Sequence, residues 1–240
     1  MWGPAPGRKA QVVGTEATVP ATRFKICCIA SVEEAWTAID HGASAIGLVS
    51  EMPSGPGVIP EPLIAEIAAA LPPSVGSFLL TSRQDVAAII TQQRRCRVNS
   101  VQICDRLTSG TYRDLRDALP GIAIVQVVHV RDEGAVEEAL RIAPHVNGIL
   151  LDSGSTALPT KELGGTGRTH DWAISREIRD RVGVPVFLAG GLTSENVAEG
   201  IRLVRPFGVD VCSGVRTDGR LDREKLHAFV QAVQGTGGCE

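Results

Sequence analysis

A single (β/α)8 barrel is the fold this sequence predicts, and three observations predict it. Eight strand-like apolar runs alternate with eight helical patterns at a spacing of roughly 20–25 residues. Most of the strand runs are near-continuous in apolar residues, as expected of strands buried on both faces of a parallel sheet. The two longest connections both follow strands, on the face where barrels of this kind gather their active sites. An open doubly wound sheet is the competing architecture, and eight regular units favour closure.

Residues 1–22 carry Pro, Gly and Thr without periodicity and are expected to form a flexible tail. The barrel domain is expected over 23–234, followed by a short flexible tail over 235–240. The strand runs are FKICCIA (24–30), SAIGLVS (44–50), SVGSFLL (74–80), VNSVQIC (98–104), IAIVQVVHV (122–130), NGILLD (147–152), VPVFLAG (184–190) and FGVDVCS (207–213). Between them, Ser31 with Glu34 three residues on reads as a capping box opening the first helix. Val136, Ala139, Leu140 and Ala143 form one apolar stripe, and Leu226, Phe229, Val230 and Val233 another. Asp132 and Asp222 stand where N-caps belong.

Composition narrows the function. Apolar residues make up 43% of the chain and charged residues 21%, ordinary for a protein with a substantial core. A net charge of −3 offers no electrostatic argument for nucleic acid or an anionic membrane. No apolar run approaches a membrane span, and the N-terminus lacks a signal peptide's apolar core, so a cytoplasmic location is expected. The six cysteines show no metal-binding spacing. Adjacent Cys27 and Cys28, read as strand residues, would point to opposite faces. Cys96 and Cys239 read as small apolar fillers.

The chemistry-bearing residues stand at strand ends. Cys27 closes the first strand, Cys104 the fourth, Asp152 the sixth and Cys212 the eighth. A thiolate base opposite a carboxylic acid is equipment for moving protons. The connections 50–60 (SEMPSGPGVIP) and 153–170 (SGSTALPTKELGGTGRTH) have the length and glycine content of lids or binding loops. AGGLTSENV (189–197) ends strand seven and CSGV (212–215) ends strand eight. Glycines there let backbone amides approach a ligand, and loops seven and eight are the recurrent phosphate site of this fold.

With those residues in view the chain resembles the phosphoribosylanthranilate isomerase family of tryptophan biosynthesis. The resemblance rests on KIC at 25–27, Asp152, GGTG at 164–167, DW at 171–172, AGGL at 189–192 and GVDVCSGV at 208–215, and covers residues 24–234. It implies a TIM barrel without cofactor or metal, acting on a small phosphorylated substrate, as a monomer or a homodimer. The implied reaction is an Amadori rearrangement of an N-phosphoribosyl amine to the 1-deoxyribulose phosphate. The family's cysteine base falls on Cys27, its aspartic acid on Asp152, and its phosphate grip on Gly190, Gly191, Ser213 and Gly214. Lys25, Gly165, Asp210 and Arg216 are the further candidate substrate ligands.

The departures are informative. The family's KICG has Cys28 in place of the glycine, and its S-P-R after strand two reads Ser54-Gly55-Pro56-Gly57, with Pro56 where arginine holds the anthranilate carboxylate. Its LHG at strand four reads Ile103-Cys104-Asp105, and its SSGVE reads Cys212-Ser213-Gly214-Val215-Arg216. The aromatic residue before DW is His170. Acid, base and phosphate positions survive while the aromatic-acid end does not, with Arg216 a candidate to compensate. The sequence thus predicts an isomerase inefficient on the anthranilate adduct, whose own substrate lacks that carboxylate or presents it elsewhere. Two alternatives stand beside it: a paralogue doing lyase, cyclisation or dehydration chemistry in a remade pocket, and a non-catalytic binding protein.

Overall fold

The computed structural model describes residues 22–154, 161–165 and 167–238. The expected N-terminal tail, except for its last residue, lies outside them, as do the middle of the 153–170 connection and Cys239. Eight parallel strands, β1 (Arg23–Ile26), β2 (Ala45–Val49), β3 (Gly76–Thr81), β4 (Ser100–Ile103), β5 (Ala123–His129), β6 (Gly148–Asp152), β7 (Val186–Leu188) and β8 (Gly208–Val211), close in sequence order. Closure runs through β1 and β8, where Ile26 lies opposite Val211. The chain is a TIM barrel. The eight helices are α1 (Val32–Asp40), α2 (Glu61–Ala70), α3 (Val86–Cys96), α4 (Tyr112–Ala118), α5 (Gly134–Ile142), α6 (Trp172–Arg181), α7 (Val197–Val204) and α8 (Arg223–Gln234).

Strand alternation sorts the side chains into two cores. Outward residues such as Ile26, Ile46, Val209 and Val211 pack under α1, α7 and α8, with Phe229 and Leu226 fully buried. Ile149 and Leu151 do the same beneath α5 and α6. Inward residues Ala45, Phe78, Leu80, Val125, Val127 and Leu150 fill the barrel itself. Each such side chain contributes about 1.5–3 kcal/mol when fully buried, so a strand shifted by one register would lose both cores together.

Local details correct the sequence reading at several points. Ser31 caps α1 by accepting from Glu34 N, but the Glu34 carboxylate reaches back to Ala30 N and not to the cap residue. Asp222 caps α8 as expected. At α5 the cap position is Glu133, with Asp132 accepting from Gly134 N one residue upstream. Past β8 the chain forms a small hairpin, β9 (Arg216–Thr217) and β10 (Arg220–Leu221), turned by Asp218 and Gly219, both at positive φ. An Asp-Gly pair is a strong two-residue hairpin signal. Gly235–Gly238 form a 3-10 turn, where a flexible tail was expected.

Candidate active site

The C-terminal ends of the strands open into one cavity of about 680 Å3, its open mouth included. Cys27 and Asp152 both line it, from strands separated by β7 and β8 around the barrel. Gly165, Gly190, Gly191, Asp210 and Ser213 line it as well. Of the candidate site residues, Lys25, Gly214 and Arg216 do not reach the wall.

Asp152 ends β6 pointing inward and is 7% exposed. Its Oδ1 accepts from Ser153 N at 2.7 Å. Burial pushes its pKa up, against the opposing pull of His129 and of the Ser153 amide. A carboxyl so placed holds its proton where an exposed one would have lost it.

Lys25 lies one layer below the floor. Its Nζ stands 2.8 Å from Asp210 Oδ2, with the two side chains 1% and 7% exposed. Burial by itself draws the lysine pKa down, but Asp210, with Cys27 and Cys28 adding to it, reverses this and raises the pKa overall, so the ammonium stays charged. Among the described residues neither Nζ nor Asp210 Oδ1 has a well-angled hydrogen-bond partner. The pair is therefore held by charge more than by direction. The Cys27 sulfur and Lys25 Nζ converge on the space above Gly47, where a Cβ would stand 2.9 Å from one and 3.0 Å from the other. Gly47 thus keeps the base and the buried cation close together.

Cys28 overturns the expectation that the two adjacent cysteines face apart. β1 ends at Ile26, and Cys28 takes a φ of 62°, the left-handed region. Strand alternation no longer applies there, and both thiols line the cavity. The Cys28 thiol faces the Pro56 carbonyl oxygen at 3.6 Å.

Arg216, expected as a substrate ligand, is committed elsewhere. Its guanidinium pairs with Glu34 at 3.1 Å and donates to Cys27 O, Cys28 O and Gly219 O. Burial opposes the Glu34 charge, but the Arg216, Leu221 N and Ala30 N contacts together hold its pKa below the usual range. Arg216 thereby anchors the end of β1 that carries both cysteines.

The glycine turns sit where their lack of a side chain is required. Gly190 and Gly191 have φ of 82° and 61°, and a Cβ on Gly190 would stand 2.9 Å from Asp152 Oδ1. A Cβ on Gly214 would overlap the Leu192 carbonyl oxygen, so this glycine joins the β7 and β8 loops behind the wall. The two long connections meet over the mouth: Ser54 Oγ donates to Lys161 O at 2.6 Å, and Pro56 packs against Gly165. Lys161 in turn pairs with Asp105 at 2.5 Å.

Several wall residues escaped the sequence reading. Met52 and Leu163 supply apolar surface from the two loops. Gln102 projects from β4 into the cavity with its Oε1 buried and unpartnered. The signal for Gln102 was a polar residue at an inward position of an otherwise apolar strand. Among the described lining residues the only titratable acids are Asp152 and Asp210 and none is a lysine or arginine, while Lys161, in the loop over the mouth, is paired with Asp105.

A closed barrel with a buried carboxyl whose pKa is raised, a thiol and two glycine turns around one cavity defines an acid–base enzyme of the (β/α)8 class. The family model described as N-(5'-phosphoribosyl)anthranilate (PRA) isomerase matches residues 24–232. The chain belongs to that family. It is 34% identical over 216 residues to the isomerase of Methanocella arvoryzae, covering 90% of this chain and 99% of that protein. It is 37% identical to the enzyme of Pseudomonas syringae pv. tomato, with 90% and 99% covered. A crystal structure of the Thermotoga maritima isomerase superposes with a TM-score of 0.75 at 31% identity, covering 89% and 99%. Another structure of the family, holding reduced 1-(o-carboxyphenylamino)-1-deoxyribulose 5-phosphate, gives 0.72 at 29%. These matches favour an aldose–ketose isomerase of the tryptophan pathway over lyase, cyclisation or dehydration chemistry, and over a non-catalytic role.

Proposed function

We propose that this chain isomerises N-(5'-phosphoribosyl)anthranilate with Asp152 as general acid and Cys27 as general base. Asp152 gives its proton to the furanose ring oxygen, and the ring opens to an iminium. Cys27, as the base, then removes the C2′ proton, and the enolamine so formed tautomerises to the ketose. Each step needs one group protonated and one deprotonated near neutrality. The observation that carries the reading is the buried Asp152, its pKa raised, sharing one cavity with Cys27.

The phosphate belongs against the backbone of Gly190, Gly191 and Ser213, with Gly214 shaping the turn behind. Asp210 Oδ1, buried and unpartnered, is the acceptor open to a sugar hydroxyl or the anilinic N–H, and Lys25 pairs with the other carboxylate oxygen from beneath and holds the side chain in place. The Gly165 loop closes over the substrate from the other side. The cytoplasm is the compartment this chemistry suits, and five described cysteines left as free thiols support it. A monomer and a homodimer both accommodate the site, which is built from one chain.

The test follows the loss of substrate fluorescence. Cys27→Ser and Asp152→Asn should each lower kcat by about 10²–10⁴ while KM changes little. Near-full turnover by Cys27→Ser would remove the thiol from the mechanism.

A further inference from the structure

Two departures from the family's pattern meet in space. Cys28 stands where the family has glycine, and Cys212 where it has serine. Their strands are hydrogen-bonded neighbours, with Cys27 N donating to Val211 O at 2.8 Å. Continuing that register places Cys27 beside Cys212 and Cys28 one position beyond, and the Cys28 and Cys212 side chains stand close enough to interact, as a disulfide requires. The left-handed turn at Cys28 swings its side chain onto the same wall as Cys212. Cys28 is buried and Cys212 partly exposed, so the pair can be reached from the cavity mouth.

We propose that Cys28 and Cys212 form a thiol–disulfide modification site, oxidised by a low-molecular-weight disulfide to an intramolecular bond across the cavity wall and reduced again by thiols. The chemistry divides between the two sulfurs. Cys212, partly exposed on the cavity wall, is the sulfur a small disulfide meets first, while Cys28 is buried beside it, and the nearby Cys28 thiol and Arg216 charge favour the thiolate at Cys212. Cys212 is therefore the attacking thiolate and Cys28 the resolving thiol. Cys212 attacks one sulfur of the small disulfide and expels a thiolate, leaving a mixed disulfide. Cys28 then loses its proton to solvent and attacks the Cys212 sulfur, expelling the second thiolate. Two protein thiols are oxidised and one small disulfide is reduced to two thiols.

The bond would tie the turn after β1 to the residue preceding Ser213, moving base and phosphate turn relative to each other. Displacements of about 1 Å in an active site can cost on the order of 10²-fold in rate. The inference goes beyond the isomerase reading and does not depend on it, since thiol counts need no substrate.

The full chain is incubated with excess oxidised glutathione, and its thiols are counted after denaturation and mapped by mass spectrometry. Wild type should fall from six free thiols to four, with a Cys28–Cys212 link. Cys27→Ser should fall by two as well, whereas Cys28→Gly and Cys212→Ser should form no internal bond. Wild-type kcat/KM should drop at least tenfold and return with dithiothreitol, and Cys28→Gly should resist that loss. The proposal is overturned if wild type keeps six thiols, carries only glutathione adducts, or makes a link that vanishes in Cys27→Ser. The wild-type map decides even where a variant fails to fold.

Discussion

Replacing Pro56 by arginine tests what the mouth of the cavity lacks. The described wall offers an anthranilate carboxylate no cation, because Asp152 and Asp210 are acids and Arg216 is held by Glu34 and three carbonyls. A bidentate arginine–carboxylate contact, partly desolvated, is worth roughly 2–5 kcal/mol. Ordering a free arginine side chain costs up to about 2 kcal/mol. The net gain is roughly 0–3 kcal/mol, a factor of up to ~150 in affinity. Because the carboxylate is remote from the reacting carbons, the contact should be equally strong in ground and transition states. It should lower KM and leave kcat nearly unchanged. The assay compares kcat/KM for wild type and Pro56→Arg on phosphoribosylanthranilate and on the phosphoribosyl adduct of aniline, which has no carboxylate. A gain confined to the anthranilate adduct supports the reasoning. Equal gains on both adducts, or a wild type already as efficient as its relatives with no gain from arginine, would refute it.

Three further outcomes are expected. Inorganic phosphate should raise the Tm of wild type by linkage, by an amount set by RT ln(1 + [L]/Kd), and a bulky side chain at Gly191, whose Cβ would meet the Arg168 backbone at 2.5 Å, should abolish the shift. Arg216→Met should destabilise the fold by about 3–5 kcal/mol in urea denaturation, since it strands Glu34 and two strand-end carbonyls. His170, bonded to Ser175 Oγ at 2.6 Å, has its pKa lowered by burial from 6.5 to about 4. The unfolded chain therefore takes up the proton first as pH falls, so stability is full above pH 6.5 and declines towards pH 4, by at most about 3 kcal/mol. In His170→Phe that part of the pH slope should disappear; a slope identical to wild type would assign the acid lability to other groups.

The barrel was legible because strand burial writes itself as apolar runs: each of β1 to β8 overlaps one of the runs read from the sequence, with only Arg23 of β1 and Thr81 of β3 falling one residue outside. Cys27, Asp152 and the glycine turns were legible because strand ends in this architecture converge on one face. What periodicity cannot encode is what happens after a strand stops. Cys28 was assigned a direction by alternation, yet its positive φ ends alternation one residue earlier. Arg216 was assigned to the substrate from its place after β8, yet Glu34, far away in sequence, claims it. Met52 and Leu163 reach the wall through loop contacts that no local pattern marks. The Asp218–Gly219 hairpin is different in kind, since the Asp-Gly pair is itself a local turn signal.

The departures at strand one and after strand two are a single structural change. A Cβ on Gly57 would overlap the Cβ of Cys28, so a side chain at 28 is compatible only with glycine at 57. The Cys28 thiol points at the Pro56 carbonyl, and the Pro56 ring fills the space beside Gly165, where a Cβ would stand 2.6 Å from Cδ. Cysteine at 28 thus fixes the path of the 55–57 turn, and that turn carries the position from which an arginine would have to reach inward. Gly190, Gly191 and Ser213 take no part in these contacts of the 55–57 turn. Residues in direct contact do not contribute independently. Arginine at 56 alone enters a corner still shaped by Cys28, so Cys28→Gly combined with Pro56→Arg should gain more than the two single changes added together. Strict additivity in kcat/KM would mean the two departures are independent, and the loop path would then owe nothing to the cysteine beneath it.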